Sequence, residues 1–267
     1  MSALALALGD GVTVAKRNLI KNRRMPDVLV WTTMSPIMFV LLFAYIFGGS
    51  IDIPGTNYRE FLIAGIFAQN ILFGASFTGT ALADDMQKGI IDRFRSLPMS
   101  RSAVLFGRTA SDLVNNAIAI TVMAVAGLIV GWRVRTSPLE ALGGFVLLLL
   151  FAYAISWVMA WVGLKVRAPE VVNNASFMFI FPMTFIANTF VPSQNLPGFL
   201  RTIAEWNPVS ALAQAAREAF GNAVPYISAS DAWSLNHPIA YVLLWVAAIL
   251  AIFVPLSVRQ YRVAASR

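Results

Sequence analysis

Residues 139–164 read LEALGGFVLLLLFAYAISWVMAWVGL, with a single acid at Glu140 and no base. An α-helix rises 1.5 Å per residue, so about 20 mostly apolar residues cross the ~30 Å hydrocarbon core of a bilayer. This stretch is long enough and apolar enough to do so. Five others meet the same test: 28–47, 61–83, 113–132, 171–191 and 239–258. The expected fold is all-α, a polytopic membrane protein with six transmembrane helices forming one domain over 1–267.

Composition points the same way. Hydrophobic residues make up 58% of the 267 positions and charged residues 12%. Soluble domains carry about 45–50% and about 25%. A soluble domain of this length could not bury so much apolar surface, so part of the solvent must be lipid. The sequence has no cysteine, which excludes disulfides, thiol catalysis and cysteine metal sites. His237 is its one histidine, so no histidine-based metal cluster can form. An intramembrane serine hydrolase would need Ser50, or another serine, to meet a base inside the membrane. His237 lies at a helix mouth beside Pro238 and reads as an interfacial loop residue instead. No Gly-Lys dipeptide occurs, so there is no phosphate-binding Walker A loop. The chain is expected to have no ATPase site, no catalytic residues and no bound metal. The apolar start, MSALALALG, lacks the basic segment of a signal peptide and is expected to be retained.

Charge sets the expected orientation. The net charge of +7 suits loops facing the anionic cytoplasmic leaflet rather than a nucleic acid. With the N-terminus inside, 15 of the 20 Lys and Arg fall in inner segments; Arg59, Arg133, Arg135, Arg201 and Arg217 fall outside. That bias places both termini in the cytoplasm.

Three non-spanning segments have character of their own. Within 1–27, residues 10–24 mix Val12, Val14, Leu19 and Ile20 with five cations, as expected of a helix on the inner leaflet surface; an ordinary basic flank is the alternative. In the link 84–101, Met86, Ile90, Ile91, Phe94 and Leu97 fall on one helical face, with Asp84 and Asp85 at its N-terminal end and Pro98 closing it. Lys88 can pair with Asp84 or Asp92 four residues away. Such a stripe needs a cover, since each Ile or Phe left wet forgoes roughly 1.5–3 kcal/mol. The cover is either this chain's own helix ends or a partner. In the long outer link 192–238, Asn207 caps a helix, Pro208 takes its first position and Gly221 closes it. Val209, Leu212, Ala213, Ala216 and Phe220 form its apolar face; Gln214, Arg217 and Glu218 oppose it. This amphipathic helix is expected to lie at, or dip into, the outer membrane face.

Polar groups within spans mark pathways or helix contacts. Gln69 and Asn70 sit mid-way along the second span, Asp112, Asn115 and Asn116 open the third, and Asn173 and Asn174 open the fifth. Asp112 follows Arg108 by four and is expected to pair with it. The fifth span carries Phe177, Met178, Phe179, Phe181, Pro182, Met183 and Phe185, side chains that adapt to varied apolar ligands. Gln69, Asn70, Asn115, Asn116, Phe177, Phe181 and Met183 are the candidates for a substrate path; interhelical hydrogen bonding and lipid-facing filler are the alternatives.

The segment QKGIIDRFRSLPMSR at 87–101, the FVP and LPGF of the outer link, and its WNPVS at 206–210 leading to Arg217 together resemble the type-2 ATP-binding-cassette permeases, in particular the daunorubicin-resistance-type drug exporters. The resemblance covers nearly the whole chain: N-terminal interface helix, six spans, a Gly-x-x-x-Arg-x-Arg-x-x-Pro link and an Asn-Pro outer helix. Gln87 departs from it, since relatives often carry a glutamate there. The resemblance implies the transmembrane subunit of an exporter of lipophilic molecules in a bacterial cytoplasmic membrane. It implies pairing with a second permease copy, as a homodimer or heterodimer, and with two cytoplasmic ATPase subunits that hold the ATP and magnesium. The link after the second span would be the ATPase-coupling helix, with Met86, Lys88, Gly89, Ile90, Ile91, Arg93, Phe94, Arg95, Leu97 and Pro98 as its contact residues. The segment 165–170 would be a second, minor contact. An ATP-independent carrier or channel, or a membrane anchor for another enzyme, are the competing readings; a charge relay at mid-span would favour the carrier.

A reporter active only in the cytoplasm, fused after Arg267, is expected to give signal; a silent fusion would sink the arrangement with both termini inside.

Overall fold

The computed structural model describes residues 3–23, 26–48, 53, 57–95, 103–166, 168–224 and 231–264. Among these, eleven α-helices carry the architecture: α1 (Ala3–Arg23), α2 (Pro26–Leu42), α3 (Tyr58–Gln87), α4 (Ile90–Arg95), α5 (Ala103–Val130), α6 (Pro138–Lys165), α7 (Pro169–Phe185), α8 (Gly198–Glu205), α9 (Pro208–Phe220), α10 (Trp233–Asn236) and α11 (Pro238–Ala264). A π-helical turn, Phe43–Phe47, continues α2. No β-strand occurs among the described residues.

Local chemistry sets several boundaries. At α6, the Ser137 hydroxyl accepts from the Glu140 N–H at 3.3 Å and the Glu140 carboxylate accepts from the Ser137 N–H at 3.0 Å, with Pro138 in the first helical position. At α9, the Asn207 side chain accepts from the Val209 N–H at 2.9 Å, Pro208 follows, and Gly221 closes the helix at φ 72°. The α9 cap is the one expected from the sequence; the capping box of α6 is a finding of the structure.

Four helices are long and apolar enough to cross a membrane: α3, α5, α6 and α11. α2 and α7 have 17 residues each, about 25 Å at 1.5 Å per residue. α7 ends at Phe185, short of the expected 191, because residues 186–190 turn rather than wind on. α5 starts at Ala103 rather than 113, since Val104 and Leu105 find a buried cluster beyond the expected span.

α3 is the centre of the bundle. Of its apolar window 78% is buried, against 17% for α11. α6 and α7 pack along it, α5 and α9 flank it, and α11 covers α6 and α9 from the outside. Without a hydrophobic drive between helices in lipid, close association needs small residues. A Cβ on Gly163 of α6 would collide with the carbonyl of Gly79 of α3, and a Cβ on Gly79 would come within 2.7 Å of the Met159 carbonyl. Both glycines are there so that the two backbones can touch.

The helix ends sort into two groups. At one end Arg135 pairs with Glu60 at 2.7 Å, Arg59 donates to the Val130 carbonyl at 3.3 Å, and the Trp132 indole donates to Asn222 at 2.7 Å. At the other, Leu82 of α3, Ile91 of α4, Leu105 of α5, Leu164 of α6 and Tyr261 of α11 share one buried cluster. Asn18 of α1 donates to Ser111 there at 3.4 Å. The N-terminal helix and the end of the last helix therefore lie at the same end of the bundle.

Gly163→Leu is expected to collapse the melting temperature in detergent, since overpacking costs about 1–3 kcal/mol even where side chains alone must yield and here a backbone must move. Gly143→Leu, where a Cβ meets nothing within 4 Å, should melt normally. Equal melting of the two would refute the α3–α6 contact.

Candidate functional site

At 30 residues, α3 is about 45 Å long, longer than the ~30 Å hydrocarbon core of a bilayer. The expected single helix over 84–101 is in fact two pieces. α3 runs on to Gln87, Lys88 caps it through an N–H bond to the Asp84 carbonyl at 3.0 Å, Gly89 turns the chain at φ 64°, and α4 follows. Only glycine adopts that φ without strain. Asp84 and Asp85 accordingly sit in the last turn of α3, not at a helix N-terminus, and each has a cation at hand to offset the unfavourable macrodipole. Lys88 Nζ lies 2.8 Å from Asp84 Oδ2, and this hydrogen bond raises the pKa of the exposed Lys88 ammonium. Arg17 Nη2 lies 4.0 Å from Asp85 Oδ2.

The apolar stripe is covered in part by this chain. Ile91 is 5% exposed among Leu82, Val104, Leu105, Trp157 and Leu164, and Met86 and Phe94 pack partly against the same cluster. Ile90 is half-buried; Gln87, Lys88 and Arg93 are exposed. Leu97 and Pro98 lie outside the described residues, as do the side chains of Asp92 and Arg95. The tip of α3–α4 thus has one face anchored in its own bundle and a polar, cationic face turned away from it.

A polar seam joins α3 to α5. Arg108 Nε lies 3.0 Å from Asp112 Oδ2, the pair expected from their spacing, and the same oxygen accepts from the Thr78 hydroxyl at 2.7 Å. Asn116 is buried, donates to the Asp112 carbonyl at 3.0 Å and fills the space left by Gly74. Gln69 is buried with its Nε2 unpaired, whereas Asn70 and Asn115 are half-buried. Phe177 and Phe181 are 49% and 48% exposed on α7, and Met183 packs partly on the core. The seven candidate path residues therefore divide between the helix interfaces and the outer face of α7. The ring of Phe177, 5.2 Å from that of Phe73, ties that face back to α3.

The helix α9 is not amphipathic in place. Pro208 to Arg217 are all buried, enclosed by α3, α6 and α11, and Phe220 is buried against Phe67, Trp132 and Phe145. Gln214 and Arg217, expected on a wetted face, are fully buried. A signal was present: Ser210, Ala211 and Ala215 are too small to shield a polar face, and they let neighbouring helices approach from every side. Arg217 donates from Nε to the Phe61 carbonyl at 3.0 Å, from Nη1 to Asn188 Oδ1 at 3.3 Å, and from Nη2 to the carbonyls of Asn188 and Thr189 at 2.7 and 3.4 Å. Its guanidinium also lies 3.6 Å from the Phe61 ring centroid. Asn207, besides capping α9, donates to the Met183 carbonyl at 2.7 Å. α9 is thereby tied both to the start of α3 and to the unwound end of α7.

Beside that tie, Trp206, Trp233, Tyr241 and Trp245 form a chain of ring contacts with centroids 6.1 to 6.4 Å apart. Tyr241 donates to the Trp206 carbonyl at 2.7 Å. Trp206, Trp233 and Trp245 are substantially exposed, as in the aromatic belts that mark a membrane–water boundary. His237 caps α10 beside these rings, its own ring 5.6 Å from that of Trp233.

Comparison with known proteins gives this geometry a context. The profile of the ABC-2 type transporter family matches residues 11–220. The daunorubicin resistance ABC transporter permease protein DrrB1 of Streptomyces coeruleorubidus is 30% identical over 260 residues, covering 97% of this chain and 88% of its own. The probable doxorubicin resistance permease DrrC of Mycobacterium tuberculosis is 23% identical over 94% of this chain and 88% of its own. A putative transport permease of Porphyra purpurea is 22% identical over 78% of this chain and 73% of its own.

Arg217→Met should remove the donors to three backbone carbonyls. Each buried group left unpaired costs about 1–3 kcal/mol, so monodisperse protein recovered on size exclusion should fall severely. Normal recovery and melting would show that the arginine does not tie α9 in place.

Proposed function

This chain belongs to the ABC-2 type transporter family, the membrane component of ATP-binding-cassette exporters, and we propose that it moves a lipophilic molecule out across a bacterial cytoplasmic membrane. Similarity to a daunorubicin resistance permease over 97% of the chain carries this reading. The substrate class follows from that relative's name and from the apolar, aromatic surface of α7. Phe177, Phe181 and Met183, with the polar groups of Gln69, Asn70, Asn115 and Asn116, are our candidates for its path.

The energy is supplied by ATPase subunits on separate chains, which hold ATP and magnesium; this sequence has no phosphate-binding loop. The tip formed by the end of α3, Gly89 and α4 is the coupling element. Lys88 and Arg93 offer an exposed cationic face to an ATPase groove, while Ile91 and Phe94 root the element in the permease. In this reading α2 with its π-helical turn and α7 with its unwound end complete six crossings. The end of the bundle that holds Leu82, Ile91 and Tyr261, with α1 and both termini, then lies toward the cytoplasm, in line with the basic bias. α9 dips into the membrane from outside, and the aromatic belt marks the outer boundary. A second permease subunit completes the pathway, a homodimer being favoured. An ATP-independent carrier is less well supported: the buried Asp112 is already engaged by Arg108 and Thr78, so it is not poised as a mid-span proton relay.

Reversing the two exposed charges, Lys88→Glu with Arg93→Glu, should lower co-purification of the ATPase roughly tenfold and leave permease yield unchanged, because neither side chain is in the core. Undiminished co-purification would refute the coupling face.

A further inference from the structure

We propose that Arg17 is a positioning residue for energy coupling. It bridges the break at Gly89 and fixes the angle at which α4 is held against the end of α3. The inference rests on the coupling role proposed above for its functional consequence, but the bridge itself can be tested without it.

Gly89 turns at φ 64°, and a Cβ built on it would meet nothing within 4 Å. No side chain packs over the turn where a Cβ would sit, and two backbone hydrogen bonds, Gly89 N–H to the Met86 carbonyl at 3.1 Å and Arg93 N–H to the Gly89 carbonyl at 3.3 Å, are what hold it locally. α4 has only six residues, far below the length at which a helix holds itself, so its orientation depends on tethers. Ile91 supplies one, by insertion into the buried cluster it shares with Leu82 and Leu105, against which Phe94 also packs in part. Arg17 supplies a further one, and it reaches both sides of the break. Its guanidinium carbon lies 4.6 Å from the Phe94 ring centroid, beyond the break. Its Nη2 lies 4.0 Å from the Asp85 carboxylate, before it. A third contact, Nη2 to Asn18 Oδ1 at 3.1 Å, orients the group. A planar guanidinium can stack on a ring while its edge faces a carboxylate; an ammonium cannot do both.

The bridge has a firm base. α1 packs along α5, where Val14 is buried, Asn18 donates to Ser111, and a Cβ on Gly107 would come within 2.6 Å of the Gly11 carbonyl. Arg17 thus references α4 to α1 as well as to α3. A push on α4 by an ATPase would move the surface helix and the central helix together instead of flexing the glycine turn.

The sequence has no native cysteine, so Gln87→Cys with Arg93→Cys gives a spin-label pair on exposed positions flanking the break. In nanodiscs, pulsed electron paramagnetic resonance should show one narrow distance distribution. Arg17→Ala should reduce the ratio of bridged to unbridged populations about two- to fivefold, the factor expected of a partly exposed cation–π contact. Arg17→Lys should fall between, and Lys16→Ala, altering an exposed neighbour, should change nothing. An unchanged distribution in Arg17→Ala overturns the bridge, whatever the fate of the coupling reading. With unlabelled chain and its ATPase, Arg17→Ala should lower the turnover of the complex at saturating permease by a similar factor and leave the dissociation constant unchanged. Lost affinity would make Arg17 a docking residue, and unchanged turnover would make the bridge inert; either overturns the positioning role. Failure of the wild-type chain to bind any ATPase would overturn the coupling role as well, with the distance data still deciding the bridge.

Discussion

In hydrocarbon, every backbone carbonyl needs a donor from the protein itself, because no water is there to serve. A continuous helix meets that demand internally. On the proposed reading of α7 as a crossing, the turn at residues 186–190 would break this rule, and Arg217 supplies donors to its carbonyls. One guanidinium serves the carbonyls of Asn188 and Thr189 and, across the bundle, that of Phe61. Lysine, with a compact point charge, could not span three acceptors on two elements. The cost of burying the cation is offset by this dense set of acceptors and by the Phe61 ring beneath it. The short α7, the buried α9 and the closed end of the bundle all depend on this exchange.

The central position of α3 follows from a second constraint. Lipid gives helices no hydrophobic reason to associate, so contact depends on how closely backbones can approach and on polar pairs between them. α3 supplies both: Gly79 against Gly163, Gly74 beneath Asn116, and Thr78 on the carboxylate of Asp112. A helix so fully engaged is well suited to carry a displacement along its length. Its far end is tied through Phe61 to α9, and its near end continues directly into the tip that precedes Gly89. The proposed coupling element and the tie to α9 are thus two ends of one rod.

Much of the site was legible from the residues. The caps of α9, the Arg108–Asp112 pair and the Lys88–Asp84 pair depend on spacing along one or two helical turns, and spacing is visible in a sequence. The link after α3 was legible as an apolar stripe, but the break at Gly89 was not. A helical period reads the same on either side of a single left-handed residue, so the stripe appeared continuous, and its burial against α5, α6 and α11 joins residues up to about 170 positions apart in the chain.

The sequence by itself determined that the chain is helical, that lipid is its solvent, and which residues cap and pair locally. It also carried the family resemblance, because composition and short-range order need no knowledge of neighbours. Only the tertiary structure decided that α9 is enclosed rather than surface-bound. An arginine opposite an apolar face is the pattern of an amphipathic helix, and nothing nearby in the sequence announces that its partners are carbonyls 28, 29 and 156 residues away. Long-range satisfaction of backbone groups is a property of packed helices, and it becomes visible only once they are packed.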